Sequence, residues 1–194
     1  MIGIIDYGAG NIASVRNALA YIGHETELAT TPESIRNADA IVFPGQGSFG
    51  SMVDNLEGKG LYRPLRDELE DGKPFLGICL GLQLLFDGSD ESPGYEGYGL
   101  MEGTCTKFTA GKVPQIGWNK IEPCVPTFPE GWAYYVNSYR VVSSGHAIAT
   151  SDYHGRFVAA VQKGTLTAFQ FHPEKSGPYG LSLLRWWVSC WQNE

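Results

Sequence analysis

The chain has 194 residues, 43% hydrophobic and 18% charged. That is the composition of a globular chain long enough to bury a substantial core, not of a disordered one. A formal net charge of −7 with no Lys/Arg cluster weighs against nucleic acid or anionic membrane as a main partner, and no apolar run approaches the roughly 18–20 residues of a membrane span. The opening "MIGIIDYGAGN" has no basic n-region and meets Asp6 at once, so it reads as a first strand rather than a signal peptide. The cysteines Cys79, Cys105, Cys124 and Cys190 form no CxxC pair and no zinc spacing. A cytoplasmic chain with reduced thiols, no metal and no cofactor is the expectation, folded as one domain over residues 1–194.

In chain order, "IGIID" (2–6) reads as a short apolar strand, "GAGN" (8–11) as a turn, and "IASVRNALAYIG" (12–23) as a helix with Ile12, Val15, Leu19 and Ile22 at helical spacing and Gly23 as its C-terminal cap. "ETELA" (25–29) is a second strand. Thr31 and Pro32 make an N-cap and first helical position for a short helix through Arg36. "AIVFPG" (40–45) is a third strand running into a glycine-rich turn. "LYRPLRDELEDG" (61–72) is a charged surface helix, "PFLGI" (74–78) a buried strand, and "LGLQLLF" (80–86) turns helical. From about residue 99, Gly, Pro, Thr, Val and aromatics dominate, which predicts antiparallel strands and loops. "GLSLLRWWVSCWQ" (180–192) closes the chain as an amphipathic helix, with Leu181, Leu184, Trp187, Val188 and Trp191 as its buried face.

Strands alternating with helices predict an α/β fold: a mostly parallel central sheet flanked by helices, joined to an antiparallel β-rich second half. In such sheets, chemistry gathers at the carboxyl ends of the strands. The motif "GICLG" lies at one of those ends. Gly77 and Gly81 flank Cys79 as in a nucleophile elbow, with cysteine in place of serine. The flanking glycines remove side chains that would collide with neighbouring strands. The elbow sets the sulfur at a helix start, where unpaired N–H groups favour thiolate, and aims the Leu80 N–H at a developing oxyanion. Without a base, the same motif describes a tightly packed strand-helix corner.

A catalytic cysteine needs a base and a group to orient it. His24, His146 and His154 fall in polar, glycine-bearing segments and read as loop residues. His172 ends the apolar run "LTAFQF" and is followed by Pro173, which stops the strand. Glu174 is placed to return its carboxylate to the imidazole. In "FPGQGSFG" (43–50), the turn at Pro44, Gly45 and Gly47 brings backbone amides close to a ligand, and the Gln46 N–H is the candidate second oxyanion donor. No GxGxxG follows the first strand, and no GK[ST] makes a phosphate loop.

The three pieces "PGQG", "GICLG" and "FHPE", in this order and each ending a strand, resemble the class I glutamine amidotransferases, a flavodoxin-like fold, over essentially the whole chain. The resemblance implies that Cys79 attacks the side-chain amide of glutamine, that His172 is base and then acid to the leaving ammonia, and that Glu174 orients His172. A thioester is then hydrolysed to glutamate. Together with "IIDYGAGNIASVRNAL" and "KVPQIGWN" (112–119), the motifs are similar to the glutaminase subunits of imidazole glycerol phosphate synthase, in histidine biosynthesis. Such a subunit forms a heterodimer with a (β/α)₈-barrel cyclase, which receives the ammonia and makes imidazole glycerol phosphate and aminoimidazole carboxamide ribonucleotide. The resemblance further implies that Gly45, Gly47, Gln83, Glu91, Ser138 and Tyr139 help hold glutamine, and that Asn11, Trp118 and Lys175 face the cyclase.

Two positions depart from that pattern. Gln46 stands where valine is frequent, and Asn137 where histidine is common, which removes any proton role there. Three rival readings compete with this one. The glutaminase of pyridoxal phosphate synthesis shares the triad but carries a Pro-Gly-Gly-Glu-Ser-Thr form of the second motif, whose Glu "PGQGSF" lacks. A stand-alone cysteine peptidase or amide hydrolase of the same fold would need no partner. A binding module with a structural elbow would not need Cys79, His172 and Glu174 together.

Overall fold

Strands β1 (Ile2–Ile5), β3 (Ala40–Phe43) and β4 (Phe75–Ile78) are buried along their whole length, as continuous apolar runs in a parallel sheet covered on both faces must be. The structure, a computed structural model, describes residues 1–8 and 11–192. With β2 (Thr26–Ala29) and the late strand β12 (Leu166–Phe169), these strands form a parallel set in the order β2-β1-β3-β4-β12. That is the 2-1-3-4-5 order of a flavodoxin-like sheet, with its switch point between β1 and β3.

Beyond β12 the same nine-stranded sheet continues antiparallel through β11 (Arg156–Lys163), β10 (Ala147–Asp152), β7 (Gln115–Pro123) and β8 (Gly131–Asn137). The expected parallel and antiparallel halves are therefore one sheet, and β12 belongs to both. A small second sheet joins β5 (Gly88–Ser89), β6 (Thr104–Lys107) and β9 (Tyr139–Arg140).

Helices close the two faces. On one, α1 (Ile12–Tyr21) and α6 (Gly177–Gln192) pack Val15, Leu19, Leu184 and Trp187 against Val42, Leu76 and Phe169. On the other, α2 (Pro32–Asn37), α3 (Phe49–Gly58) and α4 (Tyr62–Glu70) bring Ile35, Phe49, Leu56 and Leu65 onto Ile5, Phe43 and Phe75. The expected cap of α2 is present as a capping box. The Thr31 hydroxyl accepts from Ser34 N at 3.1 Å, and the Ser34 hydroxyl accepts from Thr31 N at 3.0 Å.

Three elements differ from the sequence expectation. Helix α3 is not among the elements expected from the sequence, because Gly50 and Gly58 mask the helical spacing of Phe49, Met52, Val53 and Leu56. The helix expected over 80–86 is the single turn α5 (Leu80–Gln83). Helix α6 starts at Gly177 rather than Gly180, and it buries Leu183 fully while Leu181 and Trp191 stay half-buried. Gly180 fixes that rotation: a Cβ there would sit 1.9 Å from the Pro173 carbonyl oxygen, so the helix lies flush on the turn that follows β12.

The carboxyl ends of β3, β4 and β12 are neighbours. The Pro44–Gly47 turn, Cys79 and His172 therefore share one edge of the sheet. No helix among the described residues is long and apolar enough to cross a membrane.

Candidate active site

Cys79 leaves β4 with φ 53° and ψ −99°, a region that non-glycine residues occupy only under constraint. The constraint is visible. The Cys79 N–H donates to Phe169 O at 2.7 Å, tying the elbow to β12. A Cβ on Gly77 would lie 2.4 Å from Gly81 O, and one on Gly81 would lie 2.8 Å from Phe43 O. The two flanking glycines thus permit backbone contacts that any side chain would block. Gly45 of the neighbouring turn is locked in the same way, with Ile78 O at 2.1 Å and Leu80 N at 2.4 Å from where its Cβ would stand. As the first residue of α5, Leu80 has an N–H with no acceptor inside its helix.

His172 is buried, at 2% exposure. Its Nδ1 lies 2.9 Å from the Glu174 carboxylate, whose side chain is equally enclosed. Asn11 adds its Nδ2 to the same carboxylate oxygen at 3.4 Å. Burial works to lower the His172 pKa, but interactions with the Cys79 sulfur and with Glu174 outweigh it and raise the pKa to about 9. The imidazole therefore holds its proton at neutral pH, and a protonated imidazole beside a thiol favours the thiolate. The remaining histidines are more open: His154 is exposed, and His24 and His146 are half-buried. Cys105 is buried, Cys124 exposed and Cys190 half-buried. Burial pushes the Cys105 thiol up, which makes it inert.

A cavity of about 230 Å³ opens over Cys79 and His172. Gly45, Gln46, Gly47, Leu80, Ser138 and Tyr139 line it. Gln83 and Glu91 also reach it. Gln83 is buried, with Oε1 unpaired among the described residues. Glu91 is not the solvated loop acid of its polar surroundings: it is half-buried, and its Oε2 accepts from Phe49 N at 2.8 Å at the start of α3. Asn137 lines the cavity as well, its Nδ2 donating to Tyr139 O at 3.0 Å.

The Gln46 N–H is engaged elsewhere. It donates to the Tyr7 hydroxyl at 3.3 Å, and that hydroxyl also lies 3.1 Å from Gln46 O and 3.2 Å from Pro44 O. Tyr7 is buried and stacked on Phe43 at 5.0 Å, and burial raises its pKa to about 12, so it is a neutral phenol.

Of the three positions expected to face a partner, Trp118 is 55% exposed on β7, Lys175 is half-buried in the turn Pro173–Lys175, and Asn11 braces Glu174 as described. Sequence reading missed Tyr7, Val136 and Gln170. The Cys79 Sγ lies 3.9 Å from Val136 O and 3.6 Å from Gln170 Nε2. For Gln170 a signal existed: it precedes His172 by one strand period inside an apolar run. Among the described residues, no group of three or more His, Cys, Asp or Glu side chains gathers as metal ligands would.

A family model for class-I glutamine amidotransferases matches residues 3–189. The chain belongs to this family. Among its amidotransferase relatives are imidazole glycerol phosphate synthase subunits HisH from Thermus thermophilus, 41% identical over 93% of each chain, and from Desulfitobacterium hafniense, 42% identical over 100% of this chain and 96% of that one. The chloroplastic imidazole glycerol phosphate synthase hisHF of Arabidopsis thaliana is 41% identical over 94% of this chain, which spans 33% of the plant protein. Among solved structures, a crystal structure of a glutamine amidotransferase superposes with a TM-score of 0.81 at 18% identity, each chain covered to 97%. At that identity the likeness speaks for the amidotransferase fold.

Proposed function

We propose that Cys79, His172 and Glu174 hydrolyse the side-chain amide of L-glutamine through a thioester. The chain is related throughout its length to glutaminase subunits of imidazole glycerol phosphate synthase, and it acts as such a subunit. The observation that carries the reading is the buried His172, paired through Nδ1 with the Glu174 carboxylate and lining the same cavity as Cys79.

In this mechanism the Cys79 thiolate attacks the amide carbon, and the carbonyl electrons move onto oxygen. The Leu80 N–H receives that oxyanion. The His172 imidazolium gives its proton to the departing nitrogen, which leaves as ammonia while the carbonyl re-forms as a thioester. Neutral His172 then takes a proton from water, hydroxide adds to the thioester, and the thiolate departs as glutamate is released. Glu174 stabilises the imidazolium and fixes which ring nitrogen faces the sulfur. Gln83, Glu91 and the backbone at Ser138 and Tyr139 hold the amino-acid end of glutamine.

Full oxyanion binding calls for the Gln46 N–H, which the Tyr7 hydroxyl holds in this conformation. The reading therefore includes a slow resting state, relieved when a partner repositions the Pro44–Gly47 turn. The partner we infer is a (β/α)₈-barrel cyclase that takes the ammonia, both proteins working in the cytoplasm. Ile116, Trp118, Trp132 and Val136 form an exposed apolar stripe on β7 and β8, with Ile116 directly opposite Val136 and Trp118 and Trp132 one strand period apart on the diagonal, and Val136 also lines the cavity. Such a stripe suits a protein partner. The test is glutamate release by the chain with and without the cyclase and its nucleotide. A large rise on addition supports the reading, and full activity of the lone chain contradicts it.

A further inference from the structure

The mechanism above leaves one buried polar side chain beside the sulfur without a task. Gln170 is 0% exposed. It stands just past β12, its backbone N–H held by Ala159 O at 2.9 Å. Strand alternation turns it to the same side as His172. Its Nε2 lies 3.6 Å from the Cys79 Sγ, and its Oε1 has no partner among the described residues. A fully buried carboxamide with one end unpaired is costlier than a methionine or leucine of similar volume. Packing alone therefore gives no reason for a glutamine at this place.

The groups around the sulfur define what that amide does. From β8, the Val136 carbonyl at 3.9 Å is an acceptor and favours the S–H form. From the turn after β12, His172 with Glu174 behind it favours the thiolate. Tyr7 beyond β1 and Cys105 on β6 also interact with Cys79, but burial keeps both uncharged at neutral pH. Glu91 reaches the same cavity while bonded to Phe49 N. Gln170 is then a neutral donor to the sulfur, and the Val136 carbonyl a neutral acceptor from it.

We propose that Gln170 is a catalytic residue whose Nε2–H donates to the Cys79 thiolate, enlarging its ionised fraction and fixing its direction against the pull of the Val136 carbonyl. The proposal rests on the reading of Cys79 as the nucleophile. The sign of the effect is testable. A donor against sulfur lowers the thiol pKa, whereas the opposite amide orientation would set Oε1 against sulfur and raise it.

The experiment is the pH dependence of Cys79 alkylation by iodoacetamide in the full chain, followed by mass spectrometry of the Cys79 peptide so that the other cysteines do not contribute. Gln170→Met removes the donor at similar volume. It should move the thiolate profile up by about half to one pH unit and slow alkylation about three- to tenfold on the acid side. Gln170→Glu should move it further, because a carboxylate opposes the neighbouring thiolate. Profiles that coincide with the parent, or shift down, overturn the proposal. The unsubstituted chain gives a check that no folding defect can spoil: the Gln170 side-chain amide proton resonance should move as Cys79 ionises, and a resonance indifferent to that titration overturns the proposal equally. The nucleophile reading fails separately, if Cys79→Ala retains glutamate release.

Discussion

Two turns meet at the cavity, and they are held by opposite means. The elbow at Cys79 is fixed by backbone. Its N–H is tied to Phe169 O, and Gly77, Gly81 and Gly45 meet neighbouring main chain at distances that leave no room for a methyl group. The turn Pro44–Gly47 shares that locked start at Gly45, but its far half is open. Gln46 and Gly47 are exposed, and among the described residues the side-chain hydrogen bonds of this half run to the Tyr7 hydroxyl. The nucleophile needs a strained geometry at every turnover, so its scaffold is rigid. The second oxyanion donor can be withheld, so its scaffold is one hydrogen-bonded group that a partner can compete with.

The largest predicted effect removes the rigid turn's chemistry. Cys79→Ala should lower glutamate release at least about a thousandfold with the partner present, while circular dichroism and melting temperature remain near those of the parent. Comparable turnover in mutant and parent would end the triad reading. The next prediction attacks the rigidity itself. Gly77→Ala places a Cβ 2.4 Å from Gly81 O, a clash that only backbone movement relieves. Denaturant unfolding should show a loss of about 3 kcal/mol, together with most of the activity. The matching substitution in the open turn, Gly47→Ala, meets nothing within 4 Å and costs only the strain of φ +109°, so it should destabilise the fold much less. Equal losses at the two positions would erase the contrast between the turns.

The elbow was legible in the sequence for the same reason that it is rigid. Sterics demand glycine at both flanks, and glycine is visible as a letter. The parallel strands were legible too, since burial on both faces writes continuous apolar runs. His172 and Glu174 could be paired because Pro173 ends the strand between them. The open turn's control was not legible. Tyr7 acts through a hydroxyl that reaches across from the end of β1 to the end of β3, and no local pattern marks a contact made by strand order alone. Gln170 was hidden inside an apolar run, where a single polar residue reads as an irregularity. Helix α3 was lost because its glycines resemble turn residues, although Ser48 caps it through the Ser51 N–H.

A smaller effect concerns the charge that links the two turns' chemistry. His172 is raised from about 6.5 to about 9, burial opposing and the interactions with Cys79 and Glu174 prevailing. A raised pKa means that the folded state binds this proton more tightly than the unfolded chain does. Its contribution to stability is complete below about pH 6.5 and is lost as pH rises through about 9. Glu174→Gln removes one of the two groups that hold the proton. The alkaline limb of kcat/KM should then move to lower pH, by about one unit, and the parent's stability advantage over the variant should shrink between pH 6.5 and 9. An unmoved limb would mean that Glu174 only positions the ring.

The smallest effect tests the open turn alone, and it is a gain. Tyr7→Phe keeps the ring stacked on Phe43 and deletes the hydroxyl that occupies the Gln46 N–H. The turn loses one hydrogen-bonded group, worth about 1 kcal/mol, and states in which that N–H points to the cavity rise in population by about fivefold. The lone chain should therefore release glutamate about fivefold faster, and stimulation by the partner should shrink by a similar factor, because part of what the partner does has already been done. The fully stimulated rate should hardly change, since there the turn has left Tyr7 in either protein. If Tyr7→Phe instead lowers both rates together, the hydroxyl supports the active turn rather than restraining the resting one, and the two turns are rigid alike.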